Sequence, residues 1–268
     1  MRRPRAHAAP PSAAILLALA GLVVFFVLPV VALAVRAPWG RIGAELSAPT
    51  VREALRLSAV TSLSATALCI AFGLPMAWVL ARARFPGRAV LRAVAMAPLV
   101  LPPVAGGVAL LLAFGRNGVV GRWLDEVLGI RLAFTTTGAI FAATFVALPF
   151  LILSVEGALR SLDPRYEEAA ATLGAGSRTT FFRVALPMIG PSLATGAALC
   201  WARALGEFGA TIAFAGSSPG RTQTLPLTVY LTLQTDPDAA IVLSLLLLAV
   251  SIAVLAVLGS RLVVRRAQ

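Results

Sequence analysis

The sequence predicts an all-α, polytopic membrane protein of six transmembrane helices. The first observation behind this is composition: of 268 residues, 59% are hydrophobic and 13% charged, at a mean hydropathy of +0.90. A water-soluble domain of this length carries about 25% charged residues, so the surplus apolar surface calls for lipid rather than a larger core. The second is length. Six apolar runs, near residues 12–35, 57–80, 93–114, 137–155, 191–215 and 239–258, can each cross about 30 Å of hydrocarbon at about 1.5 Å per residue.

The third is the distribution of arginine. All 23 basic residues are arginine, against 11 acidic residues, for a net charge of +12. With the N-terminus inside, the inner segments hold Arg2, Arg3 and Arg5, then Arg82, Arg84, Arg88 and Arg92. They also hold Arg160, Arg165, Arg178 and Arg183, then Arg261, Arg265 and Arg266. The outer segments hold fewer: Arg36, Arg41, Arg52, Arg56, Arg116, Arg122, Arg131 and Arg221. The positive-inside rule therefore places both termini in the cytoplasm of a cell-membrane protein. Topology accounts for the basic balance, and no nucleic-acid-binding motif competes with it.

Composition also removes chemistries. Without lysine there is no P-loop cation and no Schiff base. The one histidine, His7, lies in the polar N-terminal tail, which removes a histidine-built metal site and a Ser–His triad. Cys69 and Cys200 fall in apolar runs and read as small buried hydrophobes. The chain is expected to have no catalytic residue, metal site or cofactor of its own.

Taken in order, the first run is about twice as long as a signal-peptide core and reads as a retained anchor. The third contains Pro98, Pro102, Pro103, Gly106 and Gly107. Each proline removes an amide donor and frees a carbonyl, so this span reads either as a kinked helix facing a pore or as an ordinary membrane-helix kink. The fifth carries Arg203 and Glu207, four residues apart and hence on one helical face. Arginine at mid-membrane depth costs about 2.5–3.5 kcal/mol on the insertion scale, so a buried ion pair bracing the bundle is expected. A ligand role for Arg203 is the other reading, opposed by the adjacent carboxylate. Ala198, Ala202, Gly206 and Ala210 recur every four residues as a small-residue packing ridge, and Thr211 offers a hydroxyl to a path. Glu207 reads as the only clearly intramembrane carboxylate.

Between the fourth and fifth runs, residues 160–190 are too long and patterned for a plain connector. Asp163 can cap a short helix over 166–173 with Pro164 at its first position. Gly174 can end it in the left-handed conformation, and Ser177 can cap a second helix running into Pro187.

The spacing Glu168-Ala169-Ala170, Gly174, then Val184-x-Leu186-Pro187 resembles the EAA loop of ABC importer permeases, with Val184 in place of the commoner isoleucine. Two further stretches are similar to the sulfate/molybdate branch of that family: Trp201 to Thr211, and Arg221 to Leu227. The outer segment Phe114 to Gly121 and the stretch Gly206-Glu207-Phe208-Gly209-Ala210-Thr211-Ile212 resemble molybdate permeases most. The likeness runs from about Met96 to the last span and is weak in the N-terminal third.

The resemblance implies one transmembrane permease domain over 1–268 with the type I importer architecture. It further implies a homodimer with two cytoplasmic ATPase subunits and an extracytoplasmic oxyanion-binding protein. Coupling would rest on Glu168, Ala169, Ala170, Gly174, Leu186 and Pro187. Arg203, Gly206, Glu207, Gly209, Thr211, Pro102 and Pro103 would line the path or pack the helices. ATP and Mg would sit on the partner ATPase, and the cargo would be molybdate, with tungstate inseparable from it. A sulfate or thiosulfate permease is the alternative within the class. An ion-gradient-driven carrier is the alternative outside it, although no internal repeat supports one.

Overall fold

A computed structural model describes residues 13–264. Arg2, Arg3, Arg5, His7, Arg265 and Arg266 lie outside the described residues. Helix α1, Ala13–Val35, leads through a 3-10 turn at Trp39–Arg41 to α2, Ile42–Ser47, and then to α3, Pro49–Arg82. There follow α4, Arg88–Val100; α5, Pro103–Phe114; α6, Gly121–Leu128; and α7, Thr136–Ser161. The intervening loop forms α8, Arg165–Thr172, and α9, Ser177–Thr180. A π turn at Phe181–Ala185 leads to α10, Leu186–Met188, and then α11, Gly190–Leu205. Last come α12, Gly209–Ala215; α13, Leu225–Leu233; and α14, Pro237–Val264. No strand occurs among the described residues.

Four helices are long and apolar enough to cross a membrane: α1, α3, α7 and α14. The segments 177–188 and 190–205 would together make a fifth span, bent by 76° at Ile189. Two of the expected spans are broken. The third splits at Leu101–Pro102 into α4 and α5, because Pro102 and Pro103 supply no amides to carry the helix on. The fifth splits at Gly206–Phe208 into α11 and α12. The fourth outruns its expectation and continues to Ser161.

The core forms where α3, α7 and α11 meet, and small residues permit it. On α3, Ala65, Cys69, Gly73 and Ala77 recur at every fourth position, and all are buried. Ala139, Ala143 and Ala147 do the same on α7. Between membrane helices, where lipid is as apolar as leucine, such rows allow close van der Waals packing. The ridge expected on the fifth span is not the one used. Its row is interrupted at Leu205, Ala202 is half-buried and Gly206 is exposed. Both cysteines are free and buried, as read, and the Cys69 thiol points at the Thr144 carbonyl at 3.7 Å.

A second core of Leu110, Ala142, Val146, Ala210 and Phe214 joins α5, α7 and α12. Gly107 makes this possible: a Cβ there would stand 2.6 Å from the Ala210 carbonyl oxygen and 2.7 Å from the Ala213 methyl. The halves α5 and α12 of the two broken spans are thus packed on each other. A third core, with Val51, Ala54, Leu225 and Leu243, ties α3 to α13 and α14. There the Ser58 hydroxyl accepts the Leu225 amide at 2.7 Å and so caps α13 from another helix. By contrast, α1 buries none of its described side chains.

Candidate functional site

The loop between α7 and α11 folds much as its local sequence dictates. The Asp163 carboxylate accepts the Arg165 amide at 3.0 Å and opens α8. Gly174, at φ 82°, turns the chain out in the left-handed region with open space around it. Helix α8 buries none of its residues. Glu168, Ala169 and Gly174 are exposed and Ala170 is half-buried, while Leu173 stands 88% exposed beside a 53% exposed Tyr166. Ser177 does not cap: it is the first residue of α9, and no side chain bonds that helix start. Nor does the chain stop at Pro187. The Leu186 amide instead donates to the Phe181 carbonyl five residues back, a π turn just ahead of the proline. The helix then bends at Ile189, so Leu186 and Pro187 sit at the joint between the loop and α11.

At the other end of α11, Arg203 and Glu207 meet as expected, Nη1 to Oε2 at 2.5 Å, with Glu207 buried and Arg203 25% exposed. They do not share a helix face, because α11 ends at Leu205 and Glu207 lies in the break. The carboxylate fills two roles: its Oε1 accepts the Ala210 amide at 2.7 Å, satisfying a donor at the start of α12. An open cleft beside the break is lined by Pro103, Val104, Arg203, Gly206, Glu207, Phe208 and Gly209. Gly209 allows the approach, since a Cβ there would stand 2.9 Å from Cβ of Pro103. Five of the seven residues read as path or packing therefore converge. Thr211, buried within α12, and Pro102, in the α4–α5 break, stand outside the cleft lining.

Sequence reasoning missed a second buried carboxylate. Glu156, 1% exposed, accepts from Arg160 Nε at 2.9 Å and meets Arg92 Nη2 at 3.3 Å. Two arginines from α4 and α7 thus neutralise one acid at the end of the bundle that carries α8. Glu207 is accordingly not the only deeply buried carboxylate. The available signal was the i,i+4 spacing of Glu156 and Arg160 directly after an apolar run.

The family model for the binding-protein-dependent transport system inner membrane component matches residues 70–268. The chain belongs to that family. It is a transmembrane permease subunit of a binding-protein-dependent ABC importer, a transporter rather than an enzyme, and a multi-pass membrane protein. The permease is 51% identical over 246 residues to the molybdenum transport system permease protein ModB of Mycobacterium tuberculosis, covering 91% of this chain and 92% of that one. It is 37% identical over 218 residues to the sulfate transport system permease protein CysT of Escherichia coli, covering 81% and 78%. Its fold is similar to that in the crystal structure of a bacterial ABC transporter involved in the import of the acidic polysaccharide alginate. The TM-score is 0.72 at 18% identity, over 95% of this chain and 94% of that one. The permease architecture expected from the EAA-like spacing is thus the one found.

Proposed function

We propose that the permease forms the membrane path by which molybdate enters the cytoplasm, working as a homodimer with two cytoplasmic ATPase subunits and an external oxyanion-binding protein. Both termini and α8 then face the cytoplasm, and nucleotide and Mg belong to the ATPase. The choice of molybdate rests on one observation: the 51% identity to a molybdenum permease over 91% of the chain.

The geometry supports a division of labour. Helix α8 presents short side chains at Ala169 and Ala170 and a left-handed exit at Gly174, so a groove on the ATPase can approach its backbone closely. Motion of α8 then enters α11 through the π turn and the bend at Ile189. Sixteen residues of helix make a rod of about 24 Å, whose far end carries Arg203 into the cleft. In that cleft Glu207 already neutralises Arg203. A dianion therefore meets a nearly balanced surface with little to hold it, as passage without trapping requires.

The test is ATP hydrolysis by the reconstituted complex with its binding protein, given molybdate, tungstate and sulfate in turn. Stimulation by molybdate and tungstate but not sulfate is the expected result. Stimulation by sulfate alone would move the assignment to the sulfate branch, and uptake driven by a proton gradient without ATP would overturn it altogether.

A further inference from the structure

Helix α8 poses a mechanical problem. It has eight residues and buries none of them, and an isolated helix that short is marginal in water. It can transmit a displacement only if something fixes it to the bundle. It packs beside the π turn and α9, and one ion pair ties it to α3 among the described residues. Arg82, the last residue of α3, directs Nε at 2.9 Å and Nη2 at 2.6 Å onto Oε1 of Glu167 in α8. The side chains are only 23% and 20% exposed. The Arg82 guanidinium also lies 6.0 Å from the centre of the Trp78 ring. Trp78 packs edge-on against Phe181, the first residue of the π turn, with ring centres 4.7 Å apart. Glu167, Arg82, Trp78 and Phe181 form a continuous chain from α8 through the end of α3 to the segment that becomes α11.

We propose that Arg82 is a positioning residue for coupling: through Glu167 it holds α8 to the end of α3, so that displacement of α8 moves α3 and the π turn together. This rests on the reading of α8 as the helix that docks on the ATPase. Glu168, the acid of the EAA-like motif, is exposed; Glu167 beside it is turned inward onto Arg82 of its own chain.

The experiment uses the complete complex in proteoliposomes with binding protein and molybdate, measuring ATPase co-purification, ATP hydrolysis and uptake. Arg82→Ala and Glu167→Gln should each keep ATPase association within about twofold while molybdate moved per ATP falls about tenfold. Each reversal alone should be uncoupled, and combining Arg82→Glu with Glu167→Arg should restore at least about half of that ratio. Glu167→Gln, a neutral change on a surface helix, keeps the test open if Arg82→Ala fails to fold. An unchanged ratio in the single variants, a reversed pair as uncoupled as its parents, or lost ATPase association in Arg82→Ala would each overturn the proposal. Ala169→Trp, on the exposed side of α8, tests the underlying reading separately. It should abolish association, and normal association would sink the docking role of α8 whatever the Arg82 variants do.

Discussion

At Glu207 one carboxylate oxygen accepts the Ala210 amide and the other meets Arg203, so substitutions can separate the two contacts. Glu207→Gln keeps an acceptor for the start of α12 but leaves Arg203 without a counter-charge; Glu207→Ala loses both. Removing one partner of a fully buried pair costs about 3–5 kcal/mol, and the 25% exposure of Arg203 places this one below that range. Glu207→Ala should therefore lower the melting temperature of the purified permease more than Glu207→Gln does. Adding Arg203→Ala to Glu207→Ala should recover part of the loss. A Glu207→Ala protein that assembles and melts like the parent yet passes no oxyanion would make the residue part of the path instead. The pairing of these two residues was legible because four-residue spacing and the cost of an unpaired intramembrane charge both demanded it. The N-terminal capping was not, because it depends on a helix break that spacing cannot reveal. Glu156 escaped for a related reason: it stands one residue beyond the apolar run, where hydropathy alone cannot separate a buried acid from one at the surface.

Among the elements, those fixed by local chemistry are the ones the sequence disclosed. Asp163-Pro164 opens α8, and Gly174 closes it at φ 82°. The breaks within the third and fifth spans were harder to see, since an apolar average over about 20 residues is blind to a turn made inside it. Prolines marked the first break, though not its position at Leu101–Pro102. The second arises where Glu207 satisfies the start of α12 and Gly209 admits Pro103, contacts distant in sequence. Gly174 provides a clean element-scale test because nothing lies within 4 Å of where its Cβ would be. A side chain there meets no neighbour and only opposes the left-handed turn, by about 1–2 kcal/mol. Gly174→Val should insert and dimerise normally but hold the ATPase weakly and lose uptake. Gly174→Asn, which tolerates that conformation, should keep most of both. Equal loss in the two variants, read by co-purification and vesicle uptake, would show that bulk rather than backbone conformation matters at this exit.

Over the whole molecule, the ion pairs other than Arg203–Glu207 gather at the two ends of the bundle, and the long apolar helices between them leave packing to small residues. The α8 end has the Glu156 and Glu167 clusters. At the opposite end Arg41 joins the connection after α1 to the turn before α14, with Nη2 2.5 Å from Asp236. Asp125, in α6, lies between Arg131 at 2.8 Å and Arg116 at 3.1 Å. The apolar runs made the order of the long helices legible, while these pairings, across as many as 195 residues, were not. They carry a pH dependence with a definite sign. Hydrogen bonds from Arg41 to Asp236, and from Arg131 and Arg116 to Asp125, hold both carboxyls below their ordinary value. A group depressed on folding stabilises the folded state above its unfolded pKa, about 3.9 for aspartate, and that contribution disappears as pH falls through the lower folded value. These pairs should therefore leave the melting temperature flat from about pH 5 to 8 and lower it below about pH 4. Because they are open to solvent, added salt should shrink the effect. Combining Arg41→Ala with Arg131→Ala should flatten the acid limb of the melting curve against pH while sparing the neutral plateau. An acid limb equally steep in that variant would place the acid sensitivity in other groups.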